Sequence, residues 1–189
     1  SMPGVMLRAG DLPVADDLVG VGVHYLVGVT SAHGPDEGWN EGRAYGGWKG
    51  ATMLQAALTA DLLRPGLQLG RSPYFTRLGV WYAHLMPLGI QRLAFGDYAR
   101  NLERQVATQR SIFLHLTWLT QDGRLRTRAD ALTALGGDTA SARPWLDLLT
   151  SEVKGLPEPV PEPTRALFPE AGWVIASTRP PSDTTGFQD

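Results

Sequence analysis

A chain of 189 residues with 43% hydrophobic content is long enough to bury one core, and its net charge of −2 argues against a general nucleic-acid binder. The absence of cysteine excludes disulfides, thiolate metal sites and cysteine nucleophiles. No charged leader precedes an apolar run and no apolar segment is long enough to span a bilayer, so the expectation is a cytoplasmic protein without membrane contact.

Residues 1–17 mix glycine, proline and acids and read as an N-terminal arm. Residues 18–30 are valine-rich, which favours a strand, with Gly20, Gly22 and Gly28 marking bends. A polar loop follows, containing His33, Asp36, Glu37 and Glu41; its spacing matches no metal-ligand pattern, so no metal is expected. Tyr45-Gly46-Gly47-Trp48 then leads into the best helix-forming stretch of the chain. It is apolar or small at nearly every position to Leu63 and is stopped by Arg64-Pro65-Gly66. A helix apolar nearly all round predicts a buried, central helix.

After it, residues 74–86, 90–99 and 110–120 alternate in period two and read as strands. Asp122-Gly123 supplies the signal of a tight hairpin. Beyond it Arg124, Arg126, Arg128 and Asp130 alternate with Leu125, Thr127, Ala129 and Ala131, a half-solvated strand pattern. A short helix is expected near residues 145–153, then a proline-rich extended stretch. The resulting division is an arm (1–17), one α+β domain (18–140) with an antiparallel sheet around one central buried helix, and a proline-rich C-terminal extension (141–189).

That order of elements is the plan of the hot-dog fold. Tyr45-Gly46-Gly47, Gln55-Ala56-Ala57-Leu58 and Gln121-Asp122-Gly123-Arg124-Leu125 resemble the acyl-CoA thioesterase II branch of that superfamily. Thr108-Gln109-Arg110-Ser111 falls where the branch has a Gly-Arg-Ser step, with Gln109 in place of the glycine. The resemblance covers roughly residues 20–135. It implies a single hot-dog domain acting on acyl-CoA or an acyl carrier protein, without a cofactor. In the branch an Asp, a Thr and a Gln hold the attacking water. Aligned on Trp81-Tyr82-Ala83-His84, the threonine falls on Thr76, the aspartate position falls near Trp48 and Lys49, and the glutamine position falls near Ala131.

The candidate catalytic residues are therefore Thr76, to place a water, Glu41, as the nearest upstream carboxylate, and His84, as a base of the kind hot-dog dehydratases pair with an acid. Tyr45, Gly46, Gly47 and Trp48, with Trp81 and Arg110, are the candidate substrate-binding residues. Backbone N–H groups after a glycine pair at a helix start can hold an oxyanion; tighter entry into the helix explains the glycines equally well. The tryptophans fit a pocket wall or ordinary core packing. The arginines of the 124–128 row, with Arg110, suit coenzyme A phosphates or a solvated strand face. His24 and His115 rank below His84. Three readings stay open: a thioesterase, an enzyme reworked for dehydration or cyclisation of a polyketide or fatty-acyl chain, and a non-catalytic acyl-binding protein. A lone sheet leaves an edge unpaired, so a homodimer or higher homo-oligomer is expected.

Overall fold

Helical periodicity, not strand alternation, organises this chain. A computed structural model describes residues 13–33, 42–85, 87–88, 102–135, 144–158 and 161–183, and among these stand six α-helices and one two-stranded sheet. The helices are α1 (Ala15–Ala32), α2 (Gly42–Leu63), α3 (Pro73–Leu85), α4 (Leu102–Thr120), α5 (Gly123–Ala134) and α6 (Pro144–Ser151). The strands β1 (Arg165–Phe168) and β2 (Trp173–Ala176) pair antiparallel, with Arg165 opposite Ala176 and Phe168 opposite Trp173. The hot-dog expectation is overturned: no long sheet wraps a helix among the described residues, and the segments at 18–30, 74–85, 110–120 and 124–134 are helical. With that sheet goes the unpaired edge from which a homo-oligomer was argued. The expected strand at 90–99 lies outside the described residues.

Each reassigned segment carries a helical stripe that the alternation obscured. In α1 the buried residues are Ala15, Val19, Leu26 and Thr30, spaced by fours and a double turn. Asp16 and Asp17 occupy its first turn, where carboxylates complement the positive helix end. In α3, Pro73 takes the first position, where its missing N–H costs nothing, and Tyr74, Leu78, Trp81 and Leu85 form one buried face. Phe75 and Tyr82 fill in beside it, so both phases of a period-two pattern are apolar and the period alone cannot decide.

The central helix is α4, not α2. Residues Ile112 to Thr117 are buried without a break, and α4 packs against α2, α3, α5 and α6. By contrast α2 leaves Thr52 and Leu62 exposed and buries Leu54, Ala57, Leu58 and Ala60. A side chain at Gly50 would collide with the hydroxyl of Tyr82, so glycine there sets how closely α2 approaches α3. Asp61 accepts from the backbone N–H groups of Leu69 (3.0 Å) and Gly70 (3.5 Å), fastening the turns that link α2 to α3.

The Asp122-Gly123 hairpin is also overturned. Gln121 takes a left-handed φ of 58°, ending α4, and Asp122 caps α5 by accepting from the Arg124 N–H at 2.9 Å. Helix N-caps and hairpin turns favour the same residue for the same reason: a short side-chain oxygen that satisfies nearby N–H groups. Along α5, after the buried Gly123, the buried residues are Leu125, Arg128, Ala129 and Leu132, a stripe at i, i+3, i+4 and i+7 that places Arg128 inside rather than in solvent.

The C-terminal extension is part of the core. Leu146 and Phe168 are buried, Trp173 stacks on Trp81 (ring centroids 6.2 Å apart, 18° between planes), and Arg77 of α3 donates to the Leu167 carbonyl at 3.1 Å. Among the described residues, no helix is long and apolar enough to cross a membrane.

Candidate functional site

Two buried polar groupings stand out among the described residues, and the second borders a cleft. The first is held by Asp147 of α6. Its Oδ2 accepts from Ser111 Oγ at 2.7 Å and Arg110 Nη1 at 3.3 Å, and its Oδ1 lies 3.0 Å from His115 Nε2. Arg110 also donates through Nε to Thr133 Oγ1 at 2.8 Å. Ser111 and His115 sit one turn apart on α4 with Arg110 next to Ser111, so one carboxylate from α6 reaches all three, while His115 Nδ1 has no hydrogen-bond partner. Serine and histidine both bind the acid rather than each other, so this is not a nucleophile–base arrangement. It ties α6 and α5 to α4.

The second grouping surrounds a cleft of about 40 Å3 between α3, the start of α5 and the extended residues after α6. Helix α3 contributes Gly79, Val80, Ala83 and His84; the α5 end contributes Asp122, Arg124 and Leu125; Glu162 and Pro163 close the wall. Gly79 belongs where α3 and α5 come together, since a Cβ there would stand 3.0 Å from Leu125 Cδ1. Behind Glu162 lies Arg128, wholly buried, which donates to both carboxylate oxygens (Nε to Oε1 2.7 Å, Nη2 to Oε2 2.6 Å) and sits over the Phe113 ring. Arg124 is held by Asp122 through Nε and Nη2. That hydrogen bond raises the Arg124 pKa above its ordinary value.

His84 is the group in this cleft without a settled partner. It is 6% exposed, and its Nδ1 is buried with no hydrogen bond. Burial pushes its pKa below the ordinary 6.5, and the cationic Arg128 adds to the shift; Glu162 opposes it, and Arg77 adds a smaller push. Burial and the neighbouring arginines thus favour the neutral imidazole, and its Nδ1 has no partner within the protein.

The structure separates the other expected site residues. Thr76 is exposed on α3 and does not line the cleft. Glu41 lies outside the described residues. Tyr45, Gly46, Gly47 and Trp48 are inside α2, which starts at Gly42; the glycine pair is thus past the first four residues, whose N–H groups a helix leaves unpaired, and the expected oxyanion site at a helix start is corrected. Trp81 is core, packed on Tyr82 and Trp173. Arg110 belongs to the Asp147 grouping, and Gln109 beside it is buried in α4. Every arginine of the 124–128 row is engaged by a carboxylate: Arg124 by Asp122, Arg126 by Asp130, Arg128 by Glu162. That removes the solvated strand face and weakens the phosphate reading. Glu162 was not singled out from sequence, because it stands 78 positions from His84 in a proline-rich stretch with no local pattern pointing back to α3.

Among the described residues no group of three or more His, Asp or Glu is arranged to hold a metal ion. Comparison of the chain with protein-family models, curated proteins and solved structures finds no match.

Proposed function

We propose that the cleft beside His84 hydrolyses an acyl thioester, with His84 as general base. The observation that carries this reading is His84 itself: a nine-tenths-buried imidazole, one nitrogen unpartnered, lining a cleft that holds a few water-sized groups. In the proposed step His84 takes a proton from water, the hydroxide adds to the thioester carbonyl carbon, and the C–S bond breaks as the thiolate leaves and is protonated. Arg124 is the positive group placed to stabilise the developing oxyanion. The thioester is suggested by the short motifs that resemble the acyl-CoA thioesterase II branch, although the hot-dog fold of that branch is not the fold of this chain. One of them, Gln121-Asp122-Gly123-Arg124-Leu125, supplies three residues of the cleft wall.

Dehydration would need an acid beside the histidine to release its proton to a leaving hydroxyl. Glu162 is the carboxyl group nearest to that role, yet both its oxygens already accept from Arg128. Hydrolysis, which needs only the base, fits this cleft better.

The test is release of free thiol from short acyl-CoA. His84→Gln is expected to lower kcat by roughly 10²-fold or more with KM little changed. The parent's kcat/KM should rise with pH through an acid limb below 6.5 and then stay flat, because the depressed histidine is already neutral above it. A parent that releases no thiol, or a His84→Gln protein as active as the parent, defeats the proposal.

A further inference from the structure

Helix α1 is apolar on two sides, and one of them is left open among the described residues. Its inner stripe, Ala15, Val19, Leu26 and Thr30, is buried, and the helix packs against α2. Turned away from that stripe, Val14, Leu18, Val21, Tyr25 and Gly28 recur at intervals of four, three, four and three, a second apolar face. Tyr25 is 72% exposed and Val21 69%, and among the described residues nothing stands within 4 Å of where a Cβ on Gly28 would be. From Leu18 to Ala32 the sequence has no Asp, Glu, Lys or Arg. A helix apolar on both sides is ordinarily buried on both. Asp16 turns toward Arg64 at 3.9 Å, whereas Asp17 and His24 are exposed along one margin of the outer face.

We infer that this face binds a second copy of the chain, α1 against α1 in antiparallel order about a twofold axis beside Val21. A twofold contact needs a face that complements itself. With Val21 at the axis, Val14 of each copy lies over the open Gly28 of the other, and Leu18 lies beside the other copy's Tyr25. Along the margin Asp17 meets His24 of the other copy, so a carboxylate faces an imidazole that can donate to it, twice in the dimer. Parallel order would instead set Asp17 on Asp17. A lipid surface suits the face less well, because α1 has no Lys or Arg to meet headgroup phosphates. The contact is a single helix pair about 27 Å long, at the small end of specific interfaces, so a dissociation constant on the order of 10 µM is expected. None of these residues lines the cleft beside His84, so the pairing is independent of thioester chemistry.

The experiment is sedimentation equilibrium of the full chain over a decade of concentration on either side of that value, with the dimer mass expected at the upper end. Val21→Glu, at an exposed position, sets two like charges together at the axis and should weaken the dimer by roughly a hundredfold, with helix content by circular dichroism unchanged. Asp17→Lys should weaken it severalfold, and Asp17→Lys with His24→Glu in the same chain should restore it, because the pair is only reversed. The chain has no cysteine of its own, so Val21→Cys treated with oxidised glutathione should give a covalent dimer. Tyr25→Cys should not, since its two copies lie about 12 Å apart along the helix axis. The pairing is overturned by a parent that stays monomeric throughout, or by a dimer that Val21→Glu leaves intact. It is equally overturned if the double variant is no tighter than Asp17→Lys, or if Tyr25→Cys crosslinks as readily as Val21→Cys. A monomeric parent that binds phosphatidylcholine vesicles would overturn it in favour of a lipid-facing helix.

Discussion

His84 and His115 are buried to nearly the same extent, 6% and 2% exposed, and both sit on long apolar helices. Their surroundings differ in what completes them. His115 faces Asp147, which also gathers Ser111 and Arg110, and its carboxylate ties three elements together. His84 faces a cleft, and the nearby carboxylate, Glu162, is already taken by Arg128. Burial by itself thus does not mark a functional histidine. Nor does an unpartnered nitrogen, since Nδ1 of both histidines is buried without a hydrogen bond; what sets His84 apart is that it lines a cleft.

The contrast makes the Asp147 grouping the place where stability is most vulnerable. Asp147→Ala leaves Ser111, His115 and Arg110 without their shared acceptor, and a loss of about 3 kcal/mol is expected on urea unfolding, with thiol release per folded molecule unchanged. If that variant melts like the parent, the grouping does not hold α6 in place. Next in size is Asp122→Ala, which removes the α5 cap and frees Arg124 in the cleft; the expected cost is about 1 kcal/mol. An unchanged denaturation midpoint would mean that the cap contributes nothing.

The smallest effect is the pH dependence of His84. Its folded pKa lies below the ordinary 6.5, so as pH falls past 6.5 the unfolded chain takes up a proton before the folded chain does. Stability from this residue is complete above 6.5, declines as pH falls, and is lost as pH passes through the folded pKa. His84→Gln should flatten that part of the Tm-versus-pH curve while changing Tm little at pH 8. Superimposable curves for parent and variant would show that His84 is not depressed in the folded protein.

Part of this architecture is legible in the residues alone. Ala51 to Leu63 is helical from its propensities, and Arg64-Pro65-Gly66 ends it, as expected of residues that cannot continue a helix. The short helix near residue 145 follows similarly. The segments at 74–85 and 110–120 were misread because so many of their positions are buried that apolar residues occupy both phases of an alternating pattern. On α5 the reverse happened: arginines at every second position suggested a wet strand face, while Leu125, Arg128, Ala129 and Leu132 already carried the helical stripe. Arg128 hid that stripe because a charged residue is rarely interior, and only Glu162 makes it so.

By itself the sequence determined the composition-level properties and the local stops and caps: no cysteine chemistry, near-neutral charge, a strong helix at Ala51–Leu63, and a short-range oxygen at Asp122 suited to satisfying neighbouring N–H groups. These depend on neighbours within a few residues. The tertiary structure alone decided that the valine-rich and aromatic segments are helices, that α4 rather than α2 is central, and that Asp147 meets His115 while Glu162 and Arg124 meet at His84. The physical reason is range. Propensity and capping act within a turn or two, whereas β-branched and aromatic residues take whichever backbone buries them best. Which buried histidine finds a carboxylate is settled only when segments 32 and 78 residues apart in the chain are brought into contact.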